Sequence, residues 1–201
     1  SPMNFVAQFL AEAAQVAARI DHAAVTSLVE LLADTRDGGA RLYEQWLGVI
    51  PVSETHQKND FRNNSGSEPY SPTHNVSELT ARINDDGWDT AFANWLKVSR
   101  LGPRDCVLVF SVGGGDLVRK VSINLVRALE YAKTVGARIG AIVGRDGGFT
   151  ATVADACVII PTVSPERVTA HAEAFQAVVW HMLVAHPRLQ AAPMRWESLT
   201  R

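Results

Sequence analysis

The sequence lacks the features that would set it apart from ordinary globular chains. It has two cysteines in 201 residues, too few for a disulfide framework, and that usage fits a reducing cytoplasm. Cys106 and Cys157 each sit in an apolar run and read as buried strand thiols. No apolar run is long enough to span a bilayer. Near the N-terminus Glu12, Arg19 and Asp21 interrupt the apolar residues, so no secretory signal is expected there. An excess of one charge is missing too. The formal net charge is -2, so nothing points to nucleic acid and there is no acidic tail. What remains is 47% apolar and 20% charged, enough to bury a full core, and is read as one domain over 1–201.

Apolar spacing sets the expected elements. Phe5, Phe9, Ala13, Val16 and Ile20 recur at helical steps, and Val25, Leu28, Val29 and Leu32 repeat the pattern. Residues 4–35 are therefore expected to be helical, capped at Asp21 and stopped by Asp37-Gly38-Gly39. This region, 1–36, either covers a core face or pairs with a second subunit. A first strand is expected within 41–50, a helix over 53–63, and a loop over 63–75 with a short strand near Tyr70. Then come a short helix over 76–82, a turn at Asn84-Asp-Asp-Gly87, and a helix over 88–98 with Trp88, Phe92, Trp95 and Leu96 on one side.

The clearest pattern follows. Asp105-Cys-Val-Leu-Val-Phe-Ser111 is an apolar run, as parallel strands buried on both faces require. Gly113-Gly-Gly115 turns the chain into a helix expected over 118–134. A strand over 137–143, a turn at Gly144-Arg-Asp-Gly-Gly148, a short segment over 151–155, a strand over 156–161 and a helix over 166–185 complete the series. Strand–helix alternation with short turns specifies a doubly wound α/β domain with a parallel sheet. Its core is expected over 41–186, with a tail at 187–201. In such sheets ligands bind beyond the carboxyl ends of the strands, where both glycine turns fall.

Two constellations carry candidate chemistry. Ser111-Val-Gly-Gly-Gly-Asp116 joins a strand end to a helix start. It is either a plain tight turn or an anion site, although Asp116 would occupy the place an anion takes. His56 and Asp60 are four residues apart, and Glu173 and His181 eight apart, so each pair shares a helical side. Two histidines and two carboxylates suit zinc or another divalent metal, although on spacing alone such groups are more often simply solvated on helix faces. His22 and His186 read as surface residues near helix ends. His74 lies in a polar loop from which it could approach a ligand, and His171, near Glu173 at the start of the last helix, could support a site there, although both read first as surface residues.

Taken together, Asn84-Asp-Asp-Gly-Trp88, Phe92, the 104–111 strand with its glycine turn, Ala128-Leu-Glu-Tyr-Ala-Lys133, Gly136-Ala-Arg-Ile139, Gly144-Arg-Asp-Gly-Gly148 and Ala154-Asp155 resemble the phosphoheptose isomerase branch of the SIS-domain proteins. The resemblance covers about 75–186 well and the N-terminal helices more loosely. It implies a five-stranded SIS, or flavodoxin-like, sheet and a ketose–aldose isomerase acting on a sedoheptulose 7-phosphate-like sugar. The implied assembly is a homotetramer with sites between subunits. The family's four helix-borne ligands match His56, Asp60, Glu173 and His181, with Asp60 for a glutamate and Glu173 for a glutamine. The implied metal set is therefore His56, Asp60, Glu173 and His181, with His181 and Asp60 transferring protons through an enediol. Ser111, Gly113, Gly114, Asp85 and Glu173 are the implied substrate contacts.

The chain departs from the family at both phosphate loops. Trp46-Leu-Gly-Val-Ile50 stands where the family has Gly-Asn-Gly-Gly-Ser. At the second loop only Ser111 and Gly114 persist from Ser-Thr-Ser-Gly-Asn-Ser. Lys58, Arg62, Arg119 and Lys120 are candidate phosphate partners in their place. The competing expectation is a non-catalytic SIS module that binds a sugar derivative or a protein partner. No nucleic-acid or membrane partner is expected.

Overall fold

Every residue of Cys106–Ser111 is buried, because layers of helix cover both faces of this strand. The computed structural model describes residues 2–47 and 61–192, without the side chains of residues 2, 3 and 45–47. Its sheet contains β1 (Leu42–Leu47), β2 (Pro69–Tyr70), β3 (Cys106–Ser111), β4 (Arg138–Val143) and β5 (Ala156–Ile159). All pairings are parallel, in the order β2-β1-β3-β4-β5. The chain winds outward in both directions from the β1–β3 pair, the doubly wound arrangement expected from the sequence.

Side chains alternate along β3 and build two cores. Leu108 and Phe110 pack with Leu28 and Leu32 of α2 (His22–Asp37) and with Val179 and Leu183 of α7 (Val168–Ala185). Val107 and Val109 pack on the other face with Phe92 and Leu96 of α4 (Ala91–Val98) and Leu125 and Leu129 of α5 (Ile123–Thr134). Each such side chain contributes about 1.5–3 kcal/mol by leaving water.

The N-terminal region is two helices, α1 (Pro2–Arg19) and α2, divided at Asp21. The Asp21 carboxylate accepts from the amides of Ala23 and Ala24 at 2.8 and 3.1 Å, so the expected cap is present. Helix α1 carries an acid on its inner face. Glu12 is 7% exposed and accepts two bonds from Arg167, at 2.8 and 2.6 Å. It also meets His171 Nε2 at 2.9 Å. His171, expected at the surface, is therefore buried between α1 and α7, with Phe9 packed on its ring.

Other boundaries move for local reasons. Helix α3 (Val76–Asp86) runs through the expected turn and stops at Gly87, whose φ is +79°. The stretch expected as one helix over 88–98 begins as a short 3₁₀ turn, Trp88–Thr90, before α4. Gly148–Val153 closes into a short helix, α6, after the second glycine turn. Residues 53–60 of the expected 53–63 helix lie outside the described residues, and Phe61–Ser65 forms one wide helical turn.

The largest shift is at α5, which starts at Ile123 rather than near 118. Asp116 and Val121 exchange two backbone hydrogen bonds, 2.9 and 3.0 Å, so 117–120 project as the tip of a small hairpin. Val118 at that tip is 92% exposed.

Candidate active-site cleft

A cleft of about 900 Å³ opens beyond the carboxyl ends of β3 and β4. Its floor is the β3–α5 connection, with Ser111, Gly113, Gly115 and Ser122. One wall is the β4–α6 turn, with Arg145 and Asp146. The other is Thr162 with Val168, Thr169 and Glu173 at the start of α7. Strand ends position these groups, as in other open α/β sheets.

The two glycine turns interlock. The amides of Phe149 and Thr150 at the start of α6 donate to the Gly115 and Gly114 carbonyls at 2.8 and 2.9 Å. The Thr150 hydroxyl also donates to the Gly114 carbonyl at 2.7 Å. A Cβ on Gly114 (φ +68°) would lie 1.9 Å from the Gly147 carbonyl oxygen, and one on Gly148 (φ +52°) 2.2 Å from that of Gly113. Only glycine allows backbones this close.

Interlocking engages donors that an anion would otherwise use. Gly148 N donates to Asp146 Oδ1 at 3.1 Å, and Gly114 N to Ser111 Oγ at 3.1 Å. Arg119 N donates to Asp116 Oδ1 at 2.8 Å. The chain's own carboxylates and carbonyls thus fill much of the anion-binding potential of the two turns.

Behind the floor, one amide nitrogen holds two strands. Gln176 Nε2 donates to the carbonyls of Ser111 and Ile142, at 3.0 and 3.1 Å. It bridges β3 and β4 where Ser111 leaves the ladder. Among the described residues, Gln176 Oε1 and Asn124 Nδ2 are buried without a hydrogen-bond partner.

The charged groups of the cleft differ in their commitments. Arg119 lies 3.5 Å from Asp116. Burial pushes the Glu173 carboxyl up from its ordinary value, so Glu173 holds a proton more readily than a surface acid. Arg145 has a φ of +53°, a conformation that costs a non-glycine residue roughly 1–2 kcal/mol.

The structure brings Ser111, Gly113 and Glu173 of the sequence-derived site to one cleft, together with Arg119. Gly114 faces the Gly147 turn. Asp85 is exposed on α3, where it accepts from Asn84 Nδ2 at 3.0 Å. His181 is exposed on α7, stacked on Trp180 with ring centroids 4.5 Å apart, and does not line the cleft. His56, Asp60 and Lys58 lie outside the described residues. Among the described residues, no group of three or more His, Cys, Asp or Glu side chains is placed to hold a metal ion. Sequence reasoning missed Ser122, Arg145, Thr162 and Thr169. Ser122 had a usable signal, since serine before an apolar-periodic run marks a helix start.

This sheet order, with a polar cleft at the carboxyl ends, is an SIS-type, flavodoxin-like α/β fold. The chain superposes on the phosphoheptose isomerase of Francisella tularensis with a TM-score of 0.78 and 18% identity, over 92% of this chain and 96% of that one. In sequence it is 29% identical to the phosphoheptose isomerase of Chlorobium phaeobacteroides over 154 residues, 73% of this chain and 65% of that protein. It is 33% identical to the lincomycin biosynthesis protein LmbN of Streptomyces lincolnensis over 117 residues, 56% of this chain and 41% of that protein. In each of these two curated relatives the match spans less than two thirds of the relative's length. No protein-family model matches the sequence. The chain is phosphoheptose isomerase-like in sequence and SIS-type in fold. Among the described residues no helix is long and apolar enough to cross a membrane.

Proposed function

We propose that the protein is a sugar-phosphate isomerase that interconverts a ketose and an aldose, with a sedoheptulose 7-phosphate-like substrate. The observation that carries this reading is Glu173. It is a carboxyl raised by burial, set in the cleft with two arginines and four hydroxyl side chains. A carboxylate whose pKa is raised is a stronger base than a surface acid. Glu173 would take the proton from the carbon beside the carbonyl, leaving an enediolate, and return it at the neighbouring carbon, while the hydroxyl proton passes from one oxygen to the other through a cleft hydroxyl or solvent. Ser122, Thr162 and Thr169 would orient hydroxyls, while the arginines hold the anionic end. The likeness to phosphoheptose isomerases supports the reaction class.

The finer elements of the family pattern belong to the same proposal. Zinc or another divalent metal would need His56, Asp60, Glu173 and His181 to converge. Among the described residues of this set, Glu173 lines the cleft and His181 does not. Plasma mass spectrometry of the purified protein, with His181→Ala as control, tests the set. About one ion per chain, lost in the variant, would support it. A homotetramer with sites between subunits and a cytoplasmic location complete the reading. A non-catalytic sugar-phosphate-binding module is the alternative, favoured by the engaged amides at the two glycine turns.

The direct test is ¹³C NMR of sedoheptulose 7-phosphate incubated with the protein. Appearance of the aldose, abolished by Glu173→Gln, supports isomerisation. Binding without turnover supports the alternative.

A further inference from the structure

We infer that Arg145 is the residue that grips the phosphate group of the ligand, an assignment that rests on the cleft being a sugar-phosphate site. Three observations converge on it. Arg145 lines the cleft. Its Cδ lies 3.9 Å from where a Cβ on Gly113 would stand, so the side chain lies across that glycine on the cleft floor. Among the described residues its guanidinium makes no ion pair or hydrogen bond, whereas Arg119, the other cleft arginine, faces Asp116 at 3.5 Å.

The backbone adds a fourth. The Gly147 amide donates to the Gly144 carbonyl at 2.9 Å, which makes Arg145 the first central residue of a β-turn. Arg145 has positive φ there, and Asp146 does not. Glycine is the default residue for that position. Gly144, Gly147 and Gly148 surround it, yet the strained position carries a long, exposed cation at the cleft. Strain retained at a cleft residue with no structural bond of its own points to a ligand.

The anion has few other strong donors here. The amides of Gly148, Phe149 and Thr150 at the start of α6 are engaged within the chain, as is that of Gly114. A planar guanidinium offers two parallel donors to phosphate oxygens. Arg145 therefore supplies the charge, and the hydroxyls of Ser122, Thr162 and Thr169 are left for the sugar.

The test is Arg145→Gly, with Arg145→Lys as a partner variant. Glycine suits the positive φ, so Arg145→Gly keeps or raises the melting temperature and a misfolding explanation is removed. Calorimetry is run with inorganic phosphate, sedoheptulose 7-phosphate and unphosphorylated sedoheptulose. Both phosphates are expected to bind the parent, and to bind Arg145→Gly about ten- to a hundredfold more weakly. Arg145→Lys falls between them, and affinity for the neutral sugar is unchanged. Equal affinity of the parent and Arg145→Gly for sedoheptulose 7-phosphate overturns the assignment, whether or not turnover is seen. A parent that binds neither phosphate overturns it too. Phosphate binding that depends on Arg145 without any turnover upholds it and removes the isomerase reading instead.

Discussion

Thr150 and Gly114 are joined twice through one oxygen: the hydroxyl and the amide of Thr150 both donate to the Gly114 carbonyl, at 2.7 and 2.9 Å. Thr150 is fully buried, and the pair ties the β4–α6 turn to the β3–α5 turn. Thr150→Val keeps the shape and the amide bond and deletes the hydroxyl bond. It is expected to destabilise the fold by about 1 kcal/mol, read from urea midpoints. Gly114→Ala drives a Cβ into the Gly147 carbonyl. It is expected to cost several times as much or to prevent folding.

Gln176 offers a sharper test, because its two donors face two carbonyls. Gln176→Leu removes the donors, and also removes the buried, unpartnered Oε1. The two effects oppose each other, leaving a loss of about 1–2 kcal/mol. Gln176→Glu turns a carboxylate on the carbonyls of Ser111 and Ile142, so it is the more harmful change at neutral pH. Its carboxyl pKa is raised in the folded state, because only the protonated form donates. The penalty is therefore smallest below the unfolded-state pKa, where one O–H stands for two N–H donors, and grows as pH rises through the folded-state pKa. Urea midpoints should show a smaller gap between parent and Gln176→Glu at low pH than at neutral pH. Equal penalties at both would show that the amide does not clamp the strands.

The contrast between Gln176 and Ser122 shows what the sequence could disclose. The strand at 106–111, the glycine turns and the helices behind them were legible, because apolar runs buried on both faces and glycines at strand ends leave strong one-dimensional signals. Ser122 was partly legible as a helix start, although its side chain makes no capping bond. It was obscured because 117–121 mix apolar and basic residues in a way that reads equally as a first helical turn. The hairpin is set by the Asp116–Val121 backbone pairing, which no side-chain pattern announces. Glu12 sits one helical step from Phe9 and Val16 and looked like an interruption of an apolar face. Its partners are 155 and 159 residues away, so only the fold explains it. His171 was misplaced for the same reason. Equal spacing on α7 made Glu173 and His181 look like a pair, but packing sends Glu173 to the cleft and leaves His181 exposed.

Glu12 carries the clearest pH dependence of stability. The Arg167 guanidinium, with His171 and Gln8 beside it, holds its carboxyl down at about 2, below the ordinary value of 4.5. A depressed carboxyl stabilises the fold above its unfolded-state value. That contribution is lost as pH falls from 4.5 toward 2. Denaturation of parent and Glu12→Gln across this range should show a stability gap that is constant near neutrality and closes on acidification. A gap that does not change with pH would mean that packing, not the ion pair, fixes Glu12.

Glu173 shifts the other way, and the direction of the shift sets the rate profile. Burial raises its carboxyl above 4.5, so the base form is lost earlier on acidification than for a surface acid. If Glu173 abstracts the proton, kcat for sedoheptulose 7-phosphate rises with pH along an acidic limb whose midpoint lies above 4.5. Glu173→Gln keeps the size of the side chain and removes the base. It is expected to lower kcat by about 10²–10⁴-fold and to erase that limb, with KM little changed. Glu173→Asp keeps the charge but sets the carboxylate about one bond back, so it should retain the limb at a lower rate. A Glu173→Gln enzyme that keeps the parent's acidic limb would place the base elsewhere, with Asp60 the next residue to replace.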